Sequence, residues 1–188
     1  VCLTATNGTI ADGNPVERNV QGGTLVAKAA GNIDLDSEVD TLNADVTDAG
    51  NITVREGNGV TARNLKTASG NIDLKAGGAV VVGSLDAGAG TGTIDLHADG
   101  AVSDDQDNNT LIVADTLNIN AAGSVGAVGS NANRHLDLKV NTVNVTASGE
   151  VNLAEADSLN IGTLVTEQGN VTLTTRGALN VGRITTAT

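Results

Sequence analysis

Asp104, Asp105 and Asp107 crowd one short stretch of a chain of 188 residues. A hard cation such as Ca²⁺ takes several oxygens from a flexible loop, so this run is the first place to look for a metal. A second acidic series, Asp34, Asp36, Glu38 and Asp40, alternates strictly. On an extended strand those four side chains point one way, with no loop to fold them round an ion. Neither run has EF-hand spacing, and the glycine-rich nonapeptide of calcium-binding solenoids is missing. Both are read as solvated acidic surface, and no metal or cofactor is expected. His97 and His135 are the only histidines and have no Cys or His at ligand spacing, so they read as surface residues. Arg55, Arg63, Arg134, Arg176 and Arg183 are scattered singly, and no Phe, Tyr or Trp exists to stack on a sugar ring. A polysaccharide-cleaving groove is therefore not expected. Thr172 with Thr174 does not recur in register, which speaks against an ice-binding face. The reading is of a protein that is not an enzyme.

The elements that carry these residues follow from the repeats. The stretch Gly70 to Ala87 returns at Gly169 to Thr186, displaced by 99 residues, with glycines and alternating aliphatics kept and polar residues drifting. Ile72, Leu74, Val80, Val82 and Leu85 are one set of candidate stacking residues; Val171, Leu173, Leu179, Val181 and Ile184 are the other. A strand-like pentamer opens on glycine at Gly31, Gly50, Gly70, Gly92, Gly149 and Gly169, giving a period of about 20 residues. Period-two alternation of β-branched residues, broken by Gly, Asn and Asp, signals short strands, and no helical period is sustained. Strands that cannot bury their own apolar row must stack on the next coil. The expected fold is an all-β, right-handed parallel β-helix (β-solenoid) of about 20 residues per coil and roughly nine coils. It forms a single continuous unit over 1–188, made of two tandem copies, about 1–91 and 92–188. Asn32, Asn51, Asn71 and Asn170 recur at equivalent positions, where stacked amides form a ladder along the rod.

Composition agrees. Without aromatics or Met, burial falls to Val, Ile, Leu and Ala in a thin, regular interior. The absence of Met also marks the chain as an excerpt or a mature fragment. A net charge of −12 disfavours nucleic acid and anionic membrane, and no apolar run is long enough for membrane insertion. Cys2 has no intramolecular partner; it reads as a buried small apolar residue, with an intermolecular link as the alternative.

Two segments break the coils. Residues 12–19, which hold the only proline, correspond by a displacement of 92 to the run from Asp104, and loops 12–19 and 104–109 are expected on one side of the rod. Neither end carries a polar cap, so Val1 and Leu3 at one end, and Val181 and Ile184 at the other, are the expected end-to-end contacts.

The run GNIDLKAGGAV (70–80), the run ADTLNINAAGSVG (114–126) and the coil length together resemble the shafts of filamentous-haemagglutinin-type bacterial surface proteins. The resemblance covers essentially the whole chain. It implies a β-solenoid exported to the bacterial cell surface or the extracellular space by a partner transporter. The expected function is a non-catalytic structural shaft of an extracellular fibre, continuing or stacking head to tail with flanking coils or neighbouring copies into a filament. The alternative is an adhesive module that binds a cell-surface ligand through loops 12–19 and 104–109.

Overall fold

Alternation fixes which side chains turn inward, and the parallel register then piles like on like. In the computed structural model, which describes residues 1–14, 16–106, 111–126 and 135–187, Ile33 lies on Ile52, Ile52 on Ile72 and Ile72 on Ile94. The column starts below at Ile10 and continues upward through Leu117, Val143, Ile161 and Val181. A second column runs from Leu35 through Val54, Leu74, Leu96, Ile119, Val145 and Leu164 to Ile184. A third is all valine: Val60, Val80, Val102, Val125, Val151 and Val171. A fourth carries Ala27, Ala44, Leu65, Leu85, Ile112 and Leu138.

The strands are β1 (Cys2–Ala5), β2 (Val20–Ala29), β3 (Ile33–Ala49), β4 (Ile52–Glu56), β5 (Val60–Ser69), β6 (Ile72–Ala76), β7 (Val80–Asp86) and β8 (Thr93–Ala98). They continue as β9 (Val102–Asp104), β10 (Leu111–Ala121), β11 (Leu136–Ala147), β12 (Val151–Glu155), β13 (Leu159–Thr166), β14 (Val171–Thr175) and β15 (Leu179–Thr186). Every pairing among these strands is parallel, and the chain is a β-solenoid of about nine turns, about 20 residues apart. At a strand spacing of about 4.8 Å the stack is on the order of 40 Å tall.

Glycine sets how tightly the corners stack. A Cβ on Gly50 would meet the carbonyl carbon of Gly31 at 2.8 Å, and one on Gly70 would run into the Gly50 carbonyl. Gly70 also holds φ at +157°, so this corner column needs the absence of a side chain on both counts.

Ile72, Leu74, Val80, Val82 and Leu85 are fully buried, as the alternation predicts. Val171 and Leu173 are half-buried, while Leu179, Val181 and Ile184 are exposed, because the last coil is covered from below only. The 99-residue displacement does not describe the stacking, however. Val171, the match of Ile72 in sequence, stands in the valine column, and the Ile72 column ends instead in Val181. Five steps up that column, from Ile72 to Val181, take 109 residues, because the middle coils are longer. The second stretch therefore arrives at a different face of the rod.

Candidate functional site

Among the described residues, the last coil leaves strand edges and the ends of apolar columns open together. β14 and β15 pair downward with β12 and β13, and no described strand pairs with their upper edges. On that surface Leu179 is 43% exposed, Val181 53% and Ile184 41%. The lower end differs. Leu3 lies half-buried on Ala27, Ala5 on Ala29, and Ile10 is also half-buried. Val1 is exposed, with its ammonium donating to the Thr24 carbonyl at 2.6 Å. Of the four expected end contacts, Val181 and Ile184 thus form an open apolar row, Leu3 is partly covered, and Val1 is tethered. Cys2 is exposed and not buried: alternation in β1 turns Leu3 and Ala5 inward, which leaves Cys2 and Thr4 outward.

A polar column runs beside the isoleucines. The Asn32 side-chain oxygen accepts from the Asn51 backbone N–H at 2.8 Å, Asn51 from Asn71 at 2.9 Å, and Asn71 from Thr93 at 2.9 Å. Thr116, Thr142, Asn160 and Asn180 continue it, and the Asn180 amide donates to the Asn160 oxygen at 2.9 Å. The expected ladder is present at Asn32, Asn51 and Asn71. Asn170 stands outside it, beside the valine column, where its backbone carbonyl accepts from Val151. Through much of its length the ladder joins side chain to backbone, so each rung satisfies a donor of the coil above.

Charges on the lower coils are paired across turns. The Arg55 guanidinium reaches Asp34 at 2.8 Å and Asp12 at 3.4 Å, and also holds Asp36, joining three coils. Arg18 meets Glu38 at 2.6 Å and lies against the bare backbone of Gly57. Asp12 accepts from the Asn19 side chain and the Asn14 backbone, which with Arg55 hold its carboxyl below the usual range. The loop at 12–14 and 16–19 is therefore clamped to the rod, with Val16 outward and 88% exposed; Pro15 lies outside the described residues. Of loop 104–109, residues 107–109 lie outside the described residues, and the chain leaves the coil for it on another stretch. Residues 12–19 are inserted between the rungs of Ile33 and Ser37, whereas the residues after Asp104 are inserted between the rungs of Val82 and Ser84. The two insertions leave the coil at different stretches, which corrects the expectation of one shared side. The same slip of face that displaces Val171 is the cause.

The metal candidates fare differently from one another. Asp104 is buried at the end of β9, where it accepts from the Gln106 N–H. Asp105 follows it, and Asp107 lies outside the described residues. Among the described residues no three His, Cys, Asp or Glu side chains converge on a metal position. His97 pairs with Asp99 at 3.0 Å and His135 with Asp137 at 3.1 Å, each within its own stretch of chain. A groove of about 270 Å³ crosses the outer face over Asp95, His97, Asn118, Asn144 and Thr163. Its amides are used within the wall: Asn118 donates to Asp95 at 2.7 Å and Asn144 to Asn118 at 2.9 Å. Burial, and then the neighbouring Asp95 carboxylate, push Asp73 up at the groove's edge.

Two interior carboxylates escape a reading of the acidic runs. Glu56 and Glu155, 4% and 3% exposed, turn inward at the ends of β4 and β12. Glu56 accepts from the Ser37 hydroxyl at 2.5 Å and the Val39 N–H at 3.0 Å. Glu155 accepts from the Val140 N–H at 3.0 Å and the Asp157 N–H at 3.2 Å. In both places a long strand, β3 or β11, runs straight on beneath a neighbour that splits into two, β4 with β5 or β12 with β13. The carboxylate supplies the acceptor that the missing strand backbone would have given. Thr67 and Thr166 close the same two coils by donating to the carbonyls of Gly50 and Gly149. Glu56 and Glu155, Thr67 and Thr166, and Gly50 and Gly149 each stand 99 residues apart, so that displacement marks a repeated local device, set at a different corner each time.

No family model, no curated protein and no solved structure matches this chain.

Proposed function

We propose that this chain is a segment of the shaft of an extracellular bacterial fibre of the filamentous-haemagglutinin type, a non-catalytic spacer whose work is mechanical. The observation that carries the reading is the unbroken column from Ile10 to Val181, with a backbone ladder parallel to it through every coil. A rod of this kind keeps its ends a fixed distance apart and offers proteases little unpaired backbone. Cross-coil charge pairs and a net charge of −12 keep rods from clumping sideways. A further coil of the same kind, from flanking chain or a neighbouring copy, covers the open row at Leu179, Val181 and Ile184. Gold-labelled antibody to the purified chain, applied to intact source cells, tests this. Label strung along surface fibres is expected, and label found only after cells are opened refutes it.

One observation favours a second reading, an adhesive module: the clamped loop at residues 12–19 presents Val16 in a fixed position. Alanine replacement of loops 12–19 and 104–109 together separates the two. Unchanged cell attachment leaves only the shaft.

A further inference from the structure

Where charged side chains meet on successive rungs of the lower coils, most meet their opposites. Asp45 stands over Lys28, Arg55 over Asp36 and Asp86 over Lys66, each pair in contact. Two rungs set like on like: Arg55 lies under Lys75, and Asp73 under Asp95. The first is relieved because Arg55 turns down to Asp34, Asp36 and Asp12. The second has no such relief. Both carboxylates leave the same face of parallel strands about 4.8 Å apart and line one groove, so they cannot separate along the rod.

The surroundings of the pair are uneven. Asp95 takes an amide N–H from Asn118 on the coil above at 2.7 Å. Asp73 has Thr53 beneath it, and among the described residues no ion pair or hydrogen bond reaches its carboxylate. Asp34, under Thr53, is taken up by Arg55. Lys75 on its own strand and Arg55 on β4 attract Asp73, but burial and then Asp95 outweigh them and push its carboxyl up. His97 of β8 sits over Lys75 and is held by Asp99 at 3.0 Å.

We infer that the seam between β6 and β8 is a pH-sensitive joint, firm when Asp73 and Asp95 hold one proton between them and loosened when both are charged. The inference concerns the rod whatever it serves, so it stands apart from the shaft reading. A protonated Asp73 donates to Asp95 and turns a repulsive rung into a hydrogen-bonded one. The two titrate as a unit. A carboxyl raised by folding adds stability below its unfolded value of about 3.9 and loses it as pH climbs through the folded one. Because a coil touches only its neighbours, the loss falls on β6 and β8 and not on the whole rod.

The test is segment-resolved amide exchange of the 188-residue chain at low salt with chelator present, corrected for intrinsic rates. It is run at about pH 7 and about pH 3, on either side of the carboxylate range. Asp73→Asn is expected to raise protection of β6 and β8 about threefold at the higher pH, on the scale of one like-charge rung, and not at the lower. Asp95→Asn is expected to do the same, and the double variant no more than either, since each removes the one repulsion. Added salt shrinks the gain. Asp48→Asn, at the exposed end of β3, makes the same change in net charge and is expected to leave β6 and β8 unchanged. Four results overturn the inference: Asp73→Asn exchanging like wild type at the higher pH, a gain equal at both pH values, additive gains in the double variant, or the same gain in Asp48→Asn. None of them bears on surface labelling, which reads the shaft separately.

Discussion

Leu74→Ala and Leu179→Ala remove the same atoms from equivalent kinds of site, one inside the stack and one on its open coil. Leu74 is fully buried between Val54 below and Leu96 above. Leu179 is 43% exposed and stands on Leu159 alone. A fully enclosed Leu→Ala costs about 2–5 kcal/mol, transfer and cavity together. At Leu179 the transfer loss is partial and solvent fills the gap, so the cost is about 1 kcal/mol or less. Because each coil touches only its neighbours, the Leu74 penalty falls on two interfaces, the Leu179 penalty on one. Amide hydrogen exchange measured segment by segment is the assay. Leu74→Ala should lower protection in β4, β6 and β8 most, and leave β12 and β13 near wild type. Leu179→Ala should act on β13 and β15 only. Equal costs at the two sites, or a uniform fall along the whole rod after Leu74→Ala, would refute the account of independent columns.

The remaining predictions concern corners, interior carboxylates and the clamped loop. Gly70→Ala should destabilise by more than about 1 kcal/mol in chemical denaturation, since the new Cβ meets the Gly50 carbonyl at a φ that disfavours a side chain; a neutral result would mean the corner relaxes freely. Glu56→Ala leaves the Val39 N–H and the Ser37 hydroxyl without their acceptor, so a cost of about 1–3 kcal/mol is expected from guanidinium titration. Burial raises Glu155, so its contribution is most favourable below the unfolded value of about 4.3 and is lost as pH climbs through the folded one. The stability of wild type relative to Glu155→Gln should therefore fall from pH 3 upward, on the order of those values. Asp12 runs the other way: its value is lowered, so wild type should exceed Asp12→Asn at neutral pH and lose that advantage in acid. Identical pH profiles for the two pairs would contradict both assignments. Arg55→Ala should open residues 12–19 to limited proteolysis while β6 to β15 stay protected; an unchanged cleavage pattern would show the clamp to be idle.

How far the sequence could be read depended on what kind of regularity was asked of it. Strand alternation is local, so Ile72, Leu74, Val80, Val82 and Leu85 could be placed inside from spacing alone. The interior carboxylates were within reach of the same rule. Glu56 shares the parity of Ile52 and Val54, and Glu155 that of Val151 and Leu153, so alternation already turned both inward. A charged residue is normally expected outside, and that prior hid the pattern. What spacing alone does not reveal is the acceptor role, because it depends on β3 and β11 running on where their upper neighbours break.

The repeat itself shows why similarity in sequence and equivalence in position part company in a solenoid. Each stretch of coil meets the same demands whichever face it occupies: aliphatic side chains inward, a tight turn at the corner, a parallel neighbour above and below. A strand such as Val171–Thr175 therefore fits over Val151–Glu155 as well as its match Ile72–Ala76 fits over Ile52–Glu56, although the two lie on different faces. Insertions in the middle coils lengthen the path from Ile72 to Val181 to 109 residues, and nothing pulls the second stretch back to the face of the first. The corner devices move with the stretch, which is why Glu155 and Thr166 do for Val140 and Gly149 what Glu56 and Thr67 do for Val39 and Gly50. A site that needed two loops to face the same way would be broken by such a slip. Loops 12–19 and 104–109 leave the rod at different stretches, whereas a shaft, which asks only for continuity along its axis, loses nothing by it.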